Sequence, residues 1–193
     1  MALEQARTEP IICTIGHSTH SLDAFINLLQ VNAVIRVLDV RTIPRSRHNP
    51  QFNIDFLPAA LQAIGIDYTH FPGLGGLRHS RPGSLNGGWR NTSFRAYADY
   101  MQTSEFAHNV EQVARIAEHE CCTLMCAEAV PWRCHRSLIA DALTLRGMRV
   151  EDIIGAKGRR LHVLTPWARA DGLQITYPAE GSAPDPLGPQ GHS

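Results

Sequence analysis

The chain has 193 residues, of which 44% are hydrophobic and 19% charged, and its 18 basic residues balance its 18 acidic ones. These values are ordinary for one globular domain, and the zero net charge excludes a bulk electrostatic attraction to nucleic acid or to an anionic membrane. No apolar run approaches the roughly 20 residues that span a bilayer, and the first ten residues lack the basic start and apolar centre of a signal peptide. We therefore expect a cytoplasmic protein with no membrane partner.

Apolar runs and turn residues divide the first half of the chain into alternating strands and helices. Strands are predicted at 11–15, 34–40 and 66–71. One helix is predicted at 22–30 with Ser21 as its N-cap, and another from Asn53 or Asp55 to Ile64, with Gly65 ending it. Pro58 favours the later start, because proline is tolerated only in a first turn. A polar loop at 42–53 and a long loop at 72–91, rich in glycine and arginine, join these elements.

The second half of the chain continues the alternation. Helices are predicted at 93–101, at 105–118 with Ser104 as a cap, and at 135–146 before Gly147. Strands are predicted at 121–126 and 150–154, with a short sixth at 161–164. Composition divides the chain into a flexible N-terminus (1–10), an α/β domain (11–177) and a flexible tail rich in proline and glycine (178–193). The pattern predicts a single α/β domain with a mainly parallel sheet of about five strands and helices on both faces.

The chain contains five cysteines, an odd number without the regular spacing of a secreted disulfide scaffold. Cys13, Cys121 and Cys122 lie in or beside apolar runs, so core packing is expected for them. Cys126 and Cys134 belong to a short loop, 126–136, that also carries a glutamate, a histidine and two arginines. A strand-to-helix loop loaded with such groups is where open α/β proteins place their chemistry.

Polar side chains follow three of the predicted strands where each strand ends. The first strand ends at Gly16-His17-Ser18, the second at Asp39-Val40-Arg41 and the fourth at Cys126-Ala127-Glu128. Ligands of open parallel sheets bind outside the carboxyl ends of the strands, so we predict one shared crevice there. The candidate catalytic residues are Cys126, Glu128, His17 and Asp39. The candidate substrate-binding residues are Arg41, Ser46, Arg136, His135, Gly75 and Gly76.

Several candidates also have a structural interpretation. His17 could cap the next helix, Asp39 and Arg41 could form a structural ion pair, and Cys126 could be a buried core residue. A cation near a helix N-terminus is disfavoured by about 0.3–1 kcal/mol, so Arg136 favours a nearby anion or carboxylate, for which Glu128 is a candidate. As a thiol near a helix N-terminus and arginines, Cys126 is expected to have a lowered pKa, which makes it the strongest candidate nucleophile.

The sequence resembles the family called domain of unknown function 488 over about residues 11–154. The residues that carry the resemblance are Thr14-Ile15-Gly16-His17-Ser18, Asp39-Val40-Arg41 with Pro44 and Ser46, Leu74-Gly75-Gly76, Phe94 with Tyr97-Ala98, and above all Cys126-Ala127-Glu128 with Pro131 and Cys134-His135-Arg136. The resemblance implies an α/β fold and a shared site at these positions. It implies no substrate, because the family's name records no established activity.

The leading hypothesis is an enzyme, thiol-dependent or metal-dependent, that acts on a small anionic substrate, which could be derived from a nucleotide. Cys126 would be its nucleophile or a metal ligand, and Glu128 its acid, base or orienting group. Arg41 and Arg136 would bind the anion, and His17 would move protons or bind metal. The loop resembles those of cysteine phosphatases and sulfurtransferases, but Arg133 is one position too far from Cys126, and a glutamate and a proline replace the glycines that cradle an oxyanion.

Two alternatives remain open. The first is a metal-binding protein, although no cofactor is evident: Cys126, Cys134 and His135, with His17, have the side chains of a tetrahedral nitrogen–sulfur site. Zinc-dependent deaminases share the Cys-x-Glu pattern, but their further Pro-Cys-x-x-Cys unit is missing. The second is a nucleotide- or nucleic-acid-binding module without catalysis. The bases of its ligand would stack on the aromatic side chains of Trp89, Phe52 and Tyr68. The phosphates of that ligand would contact the basic residues of the two loops, which are Arg41, Arg45, Arg47, His48, Arg78, His79, Arg81 and Arg90.

Overall fold

One sheet with helices on both faces forms the core of the computed structural model, which describes residues 10–156 and 158–179. The helices are α1 (Leu22–Val31), α2 (Leu57–Gln62), α3 (Thr92–Tyr100), α4 (Ser104–Ala117) and α5 (Arg136–Thr144). The strands are β1 (Ile11–Gly16), β2 (Arg36–Asp39), β3 (Asp67–His70), β4 (Cys122–Cys126), β5 (Arg149–Gly155), β6 (Gly158–Leu161), β7 (Arg169–Asp171) and β8 (Gln174–Thr176). The predicted fold class is confirmed. The predicted flexible segments, 1–10 and 178–193, lie almost wholly outside the described residues.

The main sheet has the order β3-β2-β4-β1-β5-β6, and every pair is parallel except β5 with β6. Successive strand residues point to opposite faces and so build two cores. Leu38 and Leu124 pack with α3, α4 and α5, whereas Val37 and Met125 pack with α1 and α2. No helix in the described parts of the chain is long and apolar enough to cross a membrane.

Two of the three cysteines expected to pack in the core do so, and the third, Cys121, lies outside both cores. Cys13 and Cys122 are fully buried on opposite faces of the sheet, and Cys121 is half-buried. Burial raises the pKa of Cys13 to about 11 and that of Cys122 to about 12. These two thiols are therefore protonated near neutral pH, as inert core residues should be.

Capping residues and apolar runs predict most ends of the helices and strands correctly and miss a few. The predicted N-cap Ser21 is confirmed by a 3.2 Å hydrogen bond from the Ala24 backbone N–H to Ser21 Oγ. Ser104 is not the cap of α4: Thr103 Oγ1 accepts from the Phe106 backbone N–H instead. The sixth strand lies at Gly158–Leu161 rather than at 161–164, and β7 and β8 were not predicted. These strands are short, largely exposed and held by backbone pairing. They therefore lack the apolar run from which a strand is predicted.

The connections make β1 and β4 the point where the chain changes direction across the sheet. The chain passes from β1 through α1 toward β2 on one side, and from β4 through α5 toward β5 on the other. The two strands pair side by side, and their pairing continues beyond their ends through a 2.9 Å hydrogen bond from the His17 backbone N–H to the Cys126 carbonyl. Loops that diverge from adjacent parallel strands leave a crevice at the carboxyl edge, which is where doubly wound proteins bind ligands.

Gly16 allows β1 to pass directly beneath the loop that follows β4. A Cβ atom at this position would lie 1.9 Å from the Glu128 carbonyl oxygen, which is far inside van der Waals contact. Only glycine permits this approach of two backbones. The floor of the crevice is therefore determined by main-chain packing.

Candidate active site

Two cavities that share lining residues open at the carboxyl edge of the sheet. The first has a volume of about 290 Å³ and the second about 390 Å³. Both are lined by Arg41, Ile43, Ala127 and Glu128. We call the pair the strand-end groove. Its position agrees with the crevice predicted from the strand ends.

Cys126, Cys134 and His135 converge on the second cavity, and we call them the Cys–His cluster. His135 Nδ1 lies 3.9 Å from Cys126 Sγ and 3.7 Å from Cys134 Sγ, and the three atoms lie within 4.8 Å of one another. Cys126 is 8% exposed and Cys134 4%, while His135 is half-buried. Three groups that can donate lone pairs thus meet at one point on the wall of a cavity.

A backbone carbonyl orients the His135 ring. His135 Nε2 lies 3.0 Å from the Val40 carbonyl oxygen, which can only accept, so Nε2 carries the hydrogen. In the neutral ring the lone pair is then on Nδ1, the atom that faces both sulfurs. Gly76 permits this placement, because a Cβ there would lie 2.6 Å from Nδ1. Gly76 therefore lines the second cavity, whereas Gly75, also a candidate, packs against Thr42 and lines neither cavity.

The pKa values of the two clustered thiols shift in opposite directions. A hydrogen bond from the Cys134 thiol holds the pKa of Cys126 well below its usual range, and the same bond raises the pKa of Cys134. This agrees with the expectation that Cys126 is the more reactive thiol.

Asp39, Arg41 and His17 form a buried network beside the first cavity. The Arg41 guanidinium donates to Asp39 Oδ1 at 2.9 Å from Nε, and to the Phe52 carbonyl at 2.8 Å from Nη2. Tyr68 donates its hydroxyl hydrogen to Asp39 Oδ2 at 2.6 Å. Asp39 is fully buried, is saturated by these donors and lines neither cavity, so it positions Arg41 and does not reach a substrate.

His17 accepts from Arg41 and takes no part in the Cys–His cluster. Its Nδ1 lies 2.9 Å from the Ser18 carbonyl oxygen and its Nε2 lies 3.1 Å from Arg41 Nη1, so the hydrogen is on Nδ1. Burial and the neighbouring Arg41 charge lower the pKa of His17, which keeps the ring neutral. The ring also stacks on Phe52 at a centroid distance of 4.2 Å. His17 lines the first cavity, and both of its ring nitrogens are held by Ser18 and Arg41, away from the two sulfurs.

Arg136 was expected to bind the anion, and the structure gives it a different role. Its guanidinium donates to the carbonyl oxygens of Glu128 and Ala129 and to Thr14 Oγ1. It is 1% exposed and lines neither cavity. Arg136 therefore fixes the loop backbone against β1, and its contact with Glu128 is to the carbonyl oxygen, not to the carboxylate.

Glu128 and Ser46 do reach the groove. Glu128 is exposed, lines both cavities and accepts a 3.1 Å hydrogen bond from the Val130 backbone N–H. Ser46 lines the first cavity, and its Oγ accepts from the Asn49 backbone N–H at 3.1 Å. Glu128 is thus the acidic side chain available to a molecule in either cavity.

A family model described as domain of unknown function DUF488 matches residues 21–143, which is more than half of the chain. The chain belongs to this family. The DUF488 match contains Arg41, the glycine-rich loop and the whole Cys–His cluster, and leaves β1 with His17 outside. No curated protein and no solved structure matches the chain.

The candidate residues predicted from the sequence did not include Arg133. This exposed residue lines the second cavity, and its side chain forms no ion pair or hydrogen bond with any residue that the structure describes. The 3₁₀ turn Pro131–Arg133 turns it outward, three residues before the buried Arg136. The sequence did offer one indication of a role for Arg133, because this residue lies in the same loop as both clustered cysteines. Its spacing from Cys126 fits no phosphatase loop, however, and this argued against choosing it as a site residue.

Proposed function

We propose that this protein is an enzyme that acts on a small anionic substrate in the strand-end groove, with the Cys–His cluster as its reactive centre. The observation that carries this proposal is the convergence of three reactive side chains on a cavity at the carboxyl ends of β2 and β4. Reactive groups in a concave site at a topological switch point mark the active sites of many α/β enzymes. The cavity volumes suit a small molecule.

The charges of the groove favour an anion. Its described lining residues include three arginines, Arg41, Arg45 and Arg133, and one acidic residue, Glu128. Arg41 is paired with Asp39, and Arg45 with Asp55. Arg133 is left as the cation that gains most from a carboxylate or phosphate ligand, because guanidinium groups bind such anions through two parallel hydrogen bonds. Nucleotides and their derivatives are the first substrate class to test.

Each groove residue then has a distinct role. Arg133 and Arg41 bind the anion, and Glu128 exchanges protons with the reacting groups. Cys126 acts on the substrate directly or through a bound metal ion. Asp39 and His17 position Arg41, and Arg136 holds the loop in place. Substrate binding and catalysis are thus assigned only to side chains that line the groove.

The alternative of a nucleic-acid-binding module has less support. Phe52 is fully buried under His17 and offers no free stacking face, and Tyr68 is partly buried against the core on the same side of the sheet. Arg78 is folded back onto the carbonyls of Gly73 and Gly75. The enzyme proposal also suits a cytoplasmic location, because a reducing compartment keeps paired thiols such as Cys126 and Cys134 in their reactive form.

Replacing Arg133 with methionine is expected to weaken the binding of an anionic ligand at least tenfold, or about 1.4 kcal/mol, because its most accessible cation is lost. Isothermal titration with nucleoside monophosphates and with inorganic phosphate, at low and physiological salt, measures this change. Arg115→Met, at an exposed arginine of α4, is the matched control and should bind like the wild type. Equal affinity in the two variants, or no binding of any of these anions to the wild type at low salt, would contradict the proposal.

A further inference from the structure

The Cys–His cluster has the dimensions of a zinc site. Zn–S bonds of about 2.3 Å and Zn–N bonds of about 2.0–2.1 Å at a tetrahedral angle place the ligand atoms about 3.5–3.8 Å apart. The two nitrogen–sulfur distances here are 3.9 and 3.7 Å, and all three atoms lie within 4.8 Å of one another. An ion can therefore be placed among Cys126, Cys134 and His135 with small shifts of their side chains.

The surroundings of His135 support the same interpretation. Metal-binding histidines usually donate their second ring N–H to a carbonyl or carboxylate, which fixes the tautomer and the ring orientation. Val40 supplies that carbonyl at 3.0 Å from Nε2, and Nδ1 is left facing the sulfurs. The ring is packed beside Tyr97, with a centroid distance of 5.0 Å, and against the Gly76 backbone. The ligand atom is thus directed toward the sulfurs before any ion binds.

The kinds of ligand select the metal. Two sulfurs and an imidazole nitrogen are soft and borderline donors, which favour Zn²⁺ and disfavour Mg²⁺ and Ca²⁺. Two thiolates would neutralise the charge of Zn²⁺ in a place where both sulfurs are almost completely buried. The cluster also provides only three ligands from the described residues, and it lines a cavity of about 390 Å³. Three protein ligands with one open position are typical of catalytic zinc sites, whereas structural sites use four.

We propose that Cys126, Cys134 and His135 bind one Zn²⁺ ion whose fourth coordination position opens into the strand-end groove, where it takes water or the substrate. The assignment rests on the proposed enzyme function, because it specifies the reactive centre of that enzyme. It assigns Cys126 as a ligand and not as a nucleophile. Arg133 and Glu128, on the lining of the same cavity, would flank whatever occupies the fourth position.

Metal uptake by the full chain tests this proposal independently of activity. The purified protein is reduced, treated with a chelator, incubated with Zn²⁺, and desalted, and its metal content is measured by elemental analysis. We expect about one Zn²⁺ per chain in the wild type and less than a tenth of that in Cys134→Ser and His135→Gln. Cys121→Ser removes a half-buried thiol outside the cluster and should retain full uptake.

A second measurement covers variants that fail to fold. In the wild type, Zn²⁺ should protect Cys126 and Cys134 from iodoacetamide, as mapped by mass spectrometry, while Cys121 reacts equally with and without the ion. Folded wild-type protein that takes up no Zn²⁺, or full uptake in Cys134→Ser, would overturn the metal site. If uptake fails while Arg133→Met still weakens anion binding, the metal proposal falls and the proposed function stands. Metal uptake without any anion binding would instead support the metal site and overturn the proposed anionic substrate.

Discussion

Replacing Arg136 with methionine is expected to lower the free energy of unfolding by about 3 kcal/mol. The guanidinium of Arg136 is 1% exposed and bridges the carbonyls of Glu128 and Ala129 to Thr14 Oγ1. Hydrogen bonds from charged donors contribute about 1.5–3 kcal/mol each, and leaving a buried partner unsatisfied adds a desolvation cost. Methionine keeps much of the side-chain volume and removes the donors. Urea denaturation followed by circular dichroism measures the change.

Arg133→Met is the matched control for this variant, because the two arginines lie three positions apart in the same loop. Arg133 is exposed and bonded to no described side chain, so its loss should change the stability by less than about 0.5 kcal/mol. The expected pattern is therefore a stability defect without Arg136 and an anion-binding defect without Arg133. Comparable destabilisation by both substitutions would show that Arg136 has no special role in holding the loop.

Gly16→Ala is expected to destabilise the protein by at least about 3 kcal/mol, toward or beyond the upper end of ordinary overpacking costs. The new Cβ would lie 1.9 Å from the Glu128 carbonyl oxygen and 2.7 Å from its carbon, and both are backbone atoms that cannot turn away. Relief requires β1 to separate from the loop that carries the Cys–His cluster. Urea denaturation gives the stability, and elemental analysis of any folded variant gives its Zn²⁺ content, which should also fall.

Gly155→Ala provides the comparison at the end of β5. A Cβ added at Gly155 meets no atom within 4 Å, so the same substitution there should change the free energy of unfolding by less than about 0.5 kcal/mol. Similar stabilities for the two variants would mean that the loop accommodates the extra methyl group, and that the close approach at Gly16 is not required.

The fold was largely predictable because short local sequence patterns specify its main helices and strands. The Ser21 cap, the glycine at position 65 with φ +76°, and the apolar runs of β1, β2 and β4 each specify an element by short-range sterics and hydrogen bonding. The prediction placed β6 about three residues too late and missed the β7–β8 hairpin, because these short, mostly exposed strands lack the apolar run by which a strand is recognised.

The candidate site was predictable in location and only partly in membership. Strand ends of a parallel sheet meet at one edge, so the rule that placed Cys126, Glu128 and Arg41 together follows from topology. The same rule could not separate Arg133 from Arg136, since both are arginines of one loop. A 3₁₀ turn at Pro131–Arg133 directs the first to the groove, and the carbonyls above β1 bind the second.

The sequence by itself therefore determined the α/β class, the family and the edge of the sheet at which reactive groups gather. Only the tertiary structure decided that His17 is a neutral acceptor for Arg41, that Asp39 is saturated, and that His135 Nδ1 faces two sulfurs. The physical reason is that helix and strand formation depends on near neighbours in the chain. The direction and protonation of a polar side chain instead depend on donors, acceptors and desolvation contributed by segments far apart in sequence.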